Sequence, residues 1–253
     1  MSSGDSNNMS NMRAKNDGKI RDVDIRLAFI ARNMGFFEQP GFEFVNEFGI
    51  NSTNIIDLAA FDFNHKNDEG KEDPIFYGFE IKSPKDNLTR LYKQLTAYST
   101  FFNIVYLIVH DKHLDEAMEM INKYDHFRKV GVIRLDDNLN FEEIKQASMY
   151  KPFFDLFIRN LEMEDVRNLC EANGIPTIGY NKKQLTMRLK TIISVQQMYD
   201  GIRHKLEKYH VKKCPNCGSN LFYNRREGSD TMSVCFECGW ECINEATGKK
   251  FFS

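Results

Sequence analysis

The sequence predicts an α/β protein, a mixed sheet flanked by helices over residues 19 to 148, followed by a small helical module and a cysteine-rich end. Three observations lead there. Short apolar or alternating runs at 42 to 48, 55 to 63, 75 to 81, 104 to 109 and 131 to 135 have the length and the Val, Ile and Phe content of strands. Residues 20 to 34, 85 to 100 and 113 to 124 carry apolar side chains at helical spacing. The resulting order interleaves helices with strands, which is the pattern of a layered α/β domain rather than of a bundle or a sandwich.

Each element has its own signal. Residues 1 to 18 are rich in Ser, Asn and Asp and read as a disordered tail; they lack the basic start and apolar stretch of a secretory signal. Ile20, Val23, Leu27 and Ile30 give the first helix an apolar side, and Gly35 ends it. The first three strand candidates are separated by polar stretches, such as 64 to 73, that fit hairpin connections. Leu88, Leu91, Leu95 and Tyr98 line the helix expected from 85 to 100. Ile104 to Val109 is continuously apolar, as in a strand buried on both sides. Even extended back to Phe101 this run is interrupted by Asn103 and falls far short of the roughly 18 residues a membrane helix needs, so no membrane partner and a cytoplasmic location are expected.

Beyond residue 150 the character changes. Within residues 152 to 195, Val166, Leu169 and Cys170 mark one short helix, Gly174-Ile-Pro176 and Gly179 break the chain, and Leu185, Leu189, Ile192 and Ile193 mark a second. Residues 196 to 211 read as a helical connector, and 212 to 253 as a separate terminal unit. Net charge is -2 overall, yet residues 151 to 213 hold 12 Lys and Arg against 7 Asp and Glu, while residues 1 to 150 hold 18 against 24. A basic middle segment is an electrostatic footprint for phosphate, and equally a solvated helical surface.

Chemistry concentrates between 57 and 98. In Phe79-Glu80-Ile81-Lys82 side chains two apart share a face, so Glu80 and Lys82 lie on one side of the strand. Asp57 closes the apolar pair Ile55-Ile56, and pairing of the two strands as a hairpin would let both carboxylates project at one end of the sheet. Carboxylates of this kind hold hard divalent cations, which relieve charge on a phosphodiester under attack. Asp57 and Glu80, with the carbonyl of Ile81 between Glu80 and Lys82, are the expected ligands for Mg²⁺ or Mn²⁺. Lys82 would orient the nucleophile and offset transition-state charge. Charges alternating along a half-exposed strand would look the same.

These residues resemble the PD-(D/E)XK nuclease superfamily over residues 20 to 140: Asp57 stands at the first motif position, Glu80-Ile81-Lys82 at the second, and Arg90, Leu91, Gln94 and Tyr98 on the helix that follows. Ile56 stands where the namesake Pro would be. The resemblance implies a restriction-endonuclease-like sheet, a metal-dependent DNA endonuclease of phage or bacterial type, and roles for Glu47 as a further acidic residue and Gln94 as a site contact. Glu47 is equally readable as a strand-end charge and Gln94 as packing. Arg90 and Lys93 would meet phosphates or merely face solvent.

Cys214-Pro-Asn-Cys217 and Cys235-Phe-Glu-Cys238 are two knuckles with the spacing that gathers four thiolates around zinc, and the segment resembles a zinc ribbon. Such an ion is structural, since four thiolates leave no open position. Cys242 is a spare thiol and Cys170 a core residue. Arg225 and Arg226 are candidate phosphate contacts; Trp240 reads as ribbon core. Residues 161 to 193 resemble a SAP-type DNA-binding hairpin, with Lys182, Lys183 and Arg188 at or near its second helix as nucleic-acid contacts. The expected whole is a nuclease with two accessory DNA-binding units. A non-catalytic nucleic-acid-binding or adaptor protein, or a nuclease acting on RNA, remains open, as do oligomeric state, a homodimer included, and cleavage specificity.

Overall fold

The computed structural model describes residues 20, 22–37, 42–51, 53–151, 158, 161–192, 194–208, 222–227, 230–235 and 241–244. A helix α1 (Asp22–Arg32) and a short turn of helix α2 (Met34–Phe37) lead into strands β1 (Phe42–Asn51), β2 (Asn54–Asp62) and β3 (Ile75–Lys82). Helix α3 (Leu91–Phe101), β4 (Ile104–His110), α4 (Asp111–Lys123), β5 (Gly131–Leu135) and β6 (Phe141–Lys145) follow. The six strands form one sheet in chain order, antiparallel from β1 to β3, parallel from β3 to β5 and antiparallel again at β6. Parallel neighbours need a crossover, and α3 and α4 supply the two. The mixed sheet flanked by helices is therefore as the sequence predicts.

The two faces of the sheet carry separate cores. Phe48, Phe61, Phe76, Val105, Leu107 and Val132 pack with Leu91, Leu95, Tyr98 and Phe101 of α3 and with Ala117 and Ile121 of α4. On the other face Phe44, Leu58, Phe79, Ile81 and Ile108 meet Ile25, Phe29 and Ile30 of α1. Burial is close to complete in both. Side chains of this size each contribute about 1.5 to 3 kcal/mol when buried. Gly78 in β3 permits the close seating of Phe102, just past α3: a Cβ there would stand 2.6 Å from Ile56 Cδ1 and 2.7 Å from the Phe102 ring.

Some elements differ from expectation. α1 buries Ile25, Arg26, Phe29 and Ile30, and Ile20 packs against the same core, while Leu27 of the expected stripe is only partly covered. α3 starts at Leu91 instead of 85. Pro84 disfavours helix at Ser83, and Asp86 Oδ2 accepts from both Ser83 N and Ser83 Oγ at 2.7 Å, a local turn that competes with helix. β6 carries Phe-Glu-Glu-Ile-Lys on an edge, too charged to stand out as a strand.

After residue 160, α5 (Met163–Ala172) and α6 (Lys182–Leu189) form the expected helical pair, and α7 (Val195–Lys208) the expected helical connector. The second helix stops at Leu189, so Ile192 is 58% exposed instead of core; Ile193 lies outside the described residues. Val166, Leu169, Cys170, Leu185, Leu189, Ile202 and Leu206 join the same apolar cluster as the α3 face of the sheet. The Phe76 and Tyr199 rings meet at 5.6 Å, and Arg203 lies over Phe63 at 4.6 Å. Three short strands, β7 (Phe222–Glu227), β8 (Asp230–Cys235) and β9 (Glu241–Asn244), make a small antiparallel sheet near the end. No helix among the described residues is long and apolar enough to cross a membrane.

Candidate active site

Strand register brings the predicted carboxylates together. β2 and β3 pair up to Leu58 opposite Phe79; just beyond that pair Asp57 of β2 and Glu80 of β3 come close enough for the Glu80 charge to act on Asp57. On β3 the alternation is regular: Phe79 and Ile81 enter the α1-side core, while Glu80 and Lys82 turn to the α3 side. On β1 and β2 it slips. Val45 and Phe48, three apart, share the α3-side core, and so do Ile56 and Ala59. A strand with period two cannot do this without a local irregularity. Both slips bracket residues that the register sets across from each other, Glu47 and Asp57. Glu47 takes the irregularity in its backbone, with φ at +55°, a left-handed conformation unusual for a residue with a side chain.

Around Glu80 the groups form a closed network. Glu80 is 2% exposed, and its Oε1 accepts from Lys82 Nζ at 2.5 Å and from Gln94 Nε2 at 2.6 Å. Lys82 Nζ also donates to Gln94 Oε1 at 3.0 Å. The amide is thus oriented by its neighbours, oxygen to the ammonium and nitrogen to the carboxylate. An ammonium has three protons and two are used within this trio, which leaves one to point at a ligand. Tyr98, one turn beyond Gln94, lies within 3.4 Å of it and donates its hydroxyl proton to the carbonyl of Ile55 at 2.7 Å, tying α3 to the start of β2. Gln94 thus bonds to both Glu80 and Lys82.

Sequence reasoning missed a second group. Arg26 of α1, 4% exposed, donates to Asp22, to Glu47 Oε1 at 3.1 Å and to Asp57 Oδ1 at 3.2 Å. The other oxygen of Asp57 accepts from the backbone N–H of Ile81 at 2.7 Å. Asp22 and Arg26 stand four apart, the spacing of an ordinary surface ion pair; nothing in the sequence marks the arginine as turned inward.

Burial sets the electrostatics. It pushes the Asp57 carboxyl well up from its ordinary range, the charge of Glu80 adds to this, and Arg26 and the Ile81 N–H pull the other way. Burial likewise raises the Glu80 carboxyl against the opposing pull of Lys82. Tyr98 is raised as well, by burial and then by Glu80. Carboxyls shifted upward in this way gather at sites that handle a cation or a proton.

Among the described residues no three His, Cys, Asp or Glu side chains are gathered closely enough to hold a metal ion. Arg26 lies among Asp22, Glu47 and Asp57, and Lys82 with Gln94 engages Glu80. Magnesium asks for less than three: it is commonly held by one or two carboxylates with waters and substrate phosphates completing the shell. Glu80 Oε2 is buried with no hydrogen-bond partner, and Asp57 is 21% exposed. Asp57 and Glu80 are thus the carboxylates that would supply oxygen to such an ion.

A family described as Bacteriophage P4 protein cII matches residues 44–225, well over half of the chain. The chain belongs to that cII family. The matched span takes in Glu47, Asp57, Glu80, Lys82 and Gln94, whereas α1 with Asp22 and Arg26 precedes it. No curated protein matches the sequence. A solved structure of a Silicibacter pomeroyi protein of unknown function is 16% identical, with a TM-score of 0.34, covering 60% of this chain and 93% of its own.

The other predicted residues of this cII-family chain are spread out. Arg90 and Lys93 are exposed at the start of α3. Lys182 and Lys183 open α6, whose cap is a reciprocal pair, Asn181 accepting from Gln184 N at 3.0 Å and Gln184 accepting from Asn181 N at 2.9 Å. With Thr186, Met187 and Lys190 they line one surface hollow. Arg188 stacks on the Tyr180 ring at 3.9 Å. Arg225 and Arg226 lie in β7. Cys170 is buried, as expected of core. Cys235 ends β8 and is buried, and Cys242 lies in β9; Cys214, Cys217, Cys238 and Trp240 lie outside the described residues, as does the tail of residues 1 to 18.

Proposed function

We propose that this chain is a metal-dependent endonuclease of the PD-(D/E)XK type that hydrolyses phosphodiester bonds in DNA. The observation that carries the reading is the buried trio Glu80, Lys82 and Gln94, with Asp57 of the neighbouring strand bonded to the backbone N–H of Ile81 between Glu80 and Lys82. A buried carboxylate, ammonium and amide locked by one another cost solvation energy that a purely structural site could avoid with apolar side chains. Asp57 and Glu80, with the Ile81 carbonyl, would hold Mg²⁺ or Mn²⁺. Such an ion, when bound, neutralises phosphate charge and makes a bound water more acidic. The remaining proton of Lys82 is positioned to orient that water or to meet the charge that develops on phosphate oxygen. Gln94 fixes the ammonium, and Tyr98 fixes the helix that carries Gln94.

The accessory segments fit the same substrate. Lys182 and Lys183 at a helix start, with Arg188 in the last turn of the same helix and in a segment that is net basic, suit a duplex backbone as in SAP-type modules. The two Cys-x-x-Cys pairs would hold a structural Zn²⁺, and Arg225 and Arg226 of β7 are candidate phosphate contacts beside them in the chain. A phage-family nuclease of this kind would work on DNA in the host cytoplasm. A second reading, a non-catalytic nucleic-acid-binding or adaptor protein that keeps the fold, draws on Arg26, which already neutralises part of the acidic cluster.

Purified protein given Mg²⁺ or Mn²⁺ and a panel of linear, circular, branched and single-stranded DNA together with RNA is expected to cut DNA. Asp57→Asn is expected to abolish cutting while leaving the circular-dichroism spectrum and panel affinity in place. Binding without cutting by the parent protein would select the non-catalytic reading, and cutting confined to RNA the third.

A further inference from the structure

The cation already inside the candidate site is the feature the proposed chemistry leaves unused. Arg26 is delivered by a packed helix, since Ile25, Phe29 and Ile30 around it are buried and Phe29 meets Phe79 of β3 at 5.3 Å. Its guanidinium bonds to carboxylates from three elements, Asp22 of α1, Glu47 of β1 and Asp57 of β2. A guanidinium keeps its charge at any working pH, so it cannot leave by losing a proton. Glu80, in the field of Asp57 and Asp22, meanwhile retains a buried oxygen with no hydrogen-bond partner. Among the described residues Asp22, Glu47 and Asp57 share the guanidinium of Arg26, while Glu80 is paired with Lys82.

We propose that Arg26 is a lock on this site: its guanidinium covers the carboxylate face of Asp57 that a divalent cation needs, and a cation bound between Asp57 and Glu80 requires it to let go. The identity of the ligand rests on the metal-dependent reading above. A guanidinium and a divalent ion on one carboxylate repel each other, and burial strengthens that repulsion. Coupling of this kind is reciprocal, so whatever loosens α1 tightens cation binding and the cation loosens α1 by the same factor. Arg26 acts through Asp57 and is a positioning residue, not a catalytic one.

The test is Mn²⁺ binding to the full chain, followed by water-proton relaxation, in the parent protein, Arg26→Met and the Asp57→Asn control that identifies the relevant site. Methionine keeps much of the buried side-chain volume without the charge. Arg26→Met is expected to bind Mn²⁺ at the Asp57-dependent site about tenfold more tightly or better, within the range usual for coupled sites. Unchanged or weaker binding by a folded Arg26→Met protein overturns the lock. Should that variant fail to fold, amide exchange over residues 22 to 32 of the parent decides: faster exchange with Mn²⁺ supports the lock, and no change overturns it. Absence of an Asp57-dependent Mn²⁺ site in both the parent and Arg26→Met would sink the metal-dependent reading together with the lock, whereas a parent that binds Mn²⁺ without response from α1 or Arg26 sinks the lock alone.

Discussion

Replacing Lys82 by Met separates the electrostatic from the packing role of the buried trio. In the parent protein the Glu80 carboxylate, 2% exposed, relies on Lys82 Nζ at 2.5 Å as its counter-charge. Removing one member of a buried ion pair typically costs about 3 to 5 kcal/mol, because the other charge is left uncompensated. That cost requires Glu80 to be ionised. Burial already raises its pKa from 4.5 and Lys82 is the largest opposing influence, so the substitution moves it further up. A group whose folded pKa is raised makes the folded state bind more protons, and stability then falls as pH rises from the unfolded pKa to the folded one. The Lys82→Met penalty is therefore expected to be small at pH 5, about 1 kcal/mol for the donor lost to Gln94, and to grow to about 3 to 5 kcal/mol at pH 8. Urea denaturation of both proteins at the two pH values measures it, and the pH 8 difference corresponds to a melting-temperature drop of roughly 6 to 20 °C. A penalty equal at both pH values, or larger in acid, would refute the argument that an unpaired Glu80 charge is its source.

Glu47→Gly removes a side chain from a residue with φ at +55°; relief of left-handed strain is expected to raise stability by about 1 kcal/mol, since the Arg26 pair it deletes involves a carboxylate 63% exposed and is worth little. Thermal melts check this, together with the loss of cutting expected if Glu47 serves the site. Asp57→Asn should gain stability over the parent as pH climbs above about 4, because the raised Asp57 carboxyl makes ionisation destabilising in the parent and the amide has no charge to bury; a gap that shrinks with pH would contradict it. Reduced protein is expected to carry tightly held zinc, lost together with ordered ribbon structure on replacement of Cys214 and Cys217 by Ser, with metal analysis as the measure.

Strand alternation made Glu80 and Lys82 legible, because a period of two leaves no freedom about which face each takes. The placement of Asp57 followed once the hairpin was assumed, and the antiparallel register Leu58 to Phe79 supplies it. Arg26 was not legible. Its helix is legible from Ile20, Leu27 and Ile30, but the face it presents to the sheet also includes Ile25 and Phe29, and that face carries position 26 inward while Leu27 is only partly covered. Apolar spacing alone does not settle which of two neighbouring stripes a short helix buries when polar residues can be satisfied by an acidic cluster on the facing strands. The left-handed turn at Glu47 was equally hidden, since that conformation ordinarily selects glycine or asparagine. Residues 83 to 90 misled in the opposite way: Leu88 is buried like a helix residue, but Pro84 and the Ser83 to Asp86 turn hold it in place without helical backbone.

Because Phe76 leans on Tyr199 and Phe63 lies under Arg203, the strand that ends in Glu80 and Lys82 has its opposite end propped by α7. Cutting the gene after residue 151 would peel that prop away, wet the aromatic rings beneath it, and return an aggregating sheet in place of a smaller folded domain. Conversely, a shift of α7 against these rings would be felt first at the start of β3, the strand whose far end carries Glu80 and Lys82.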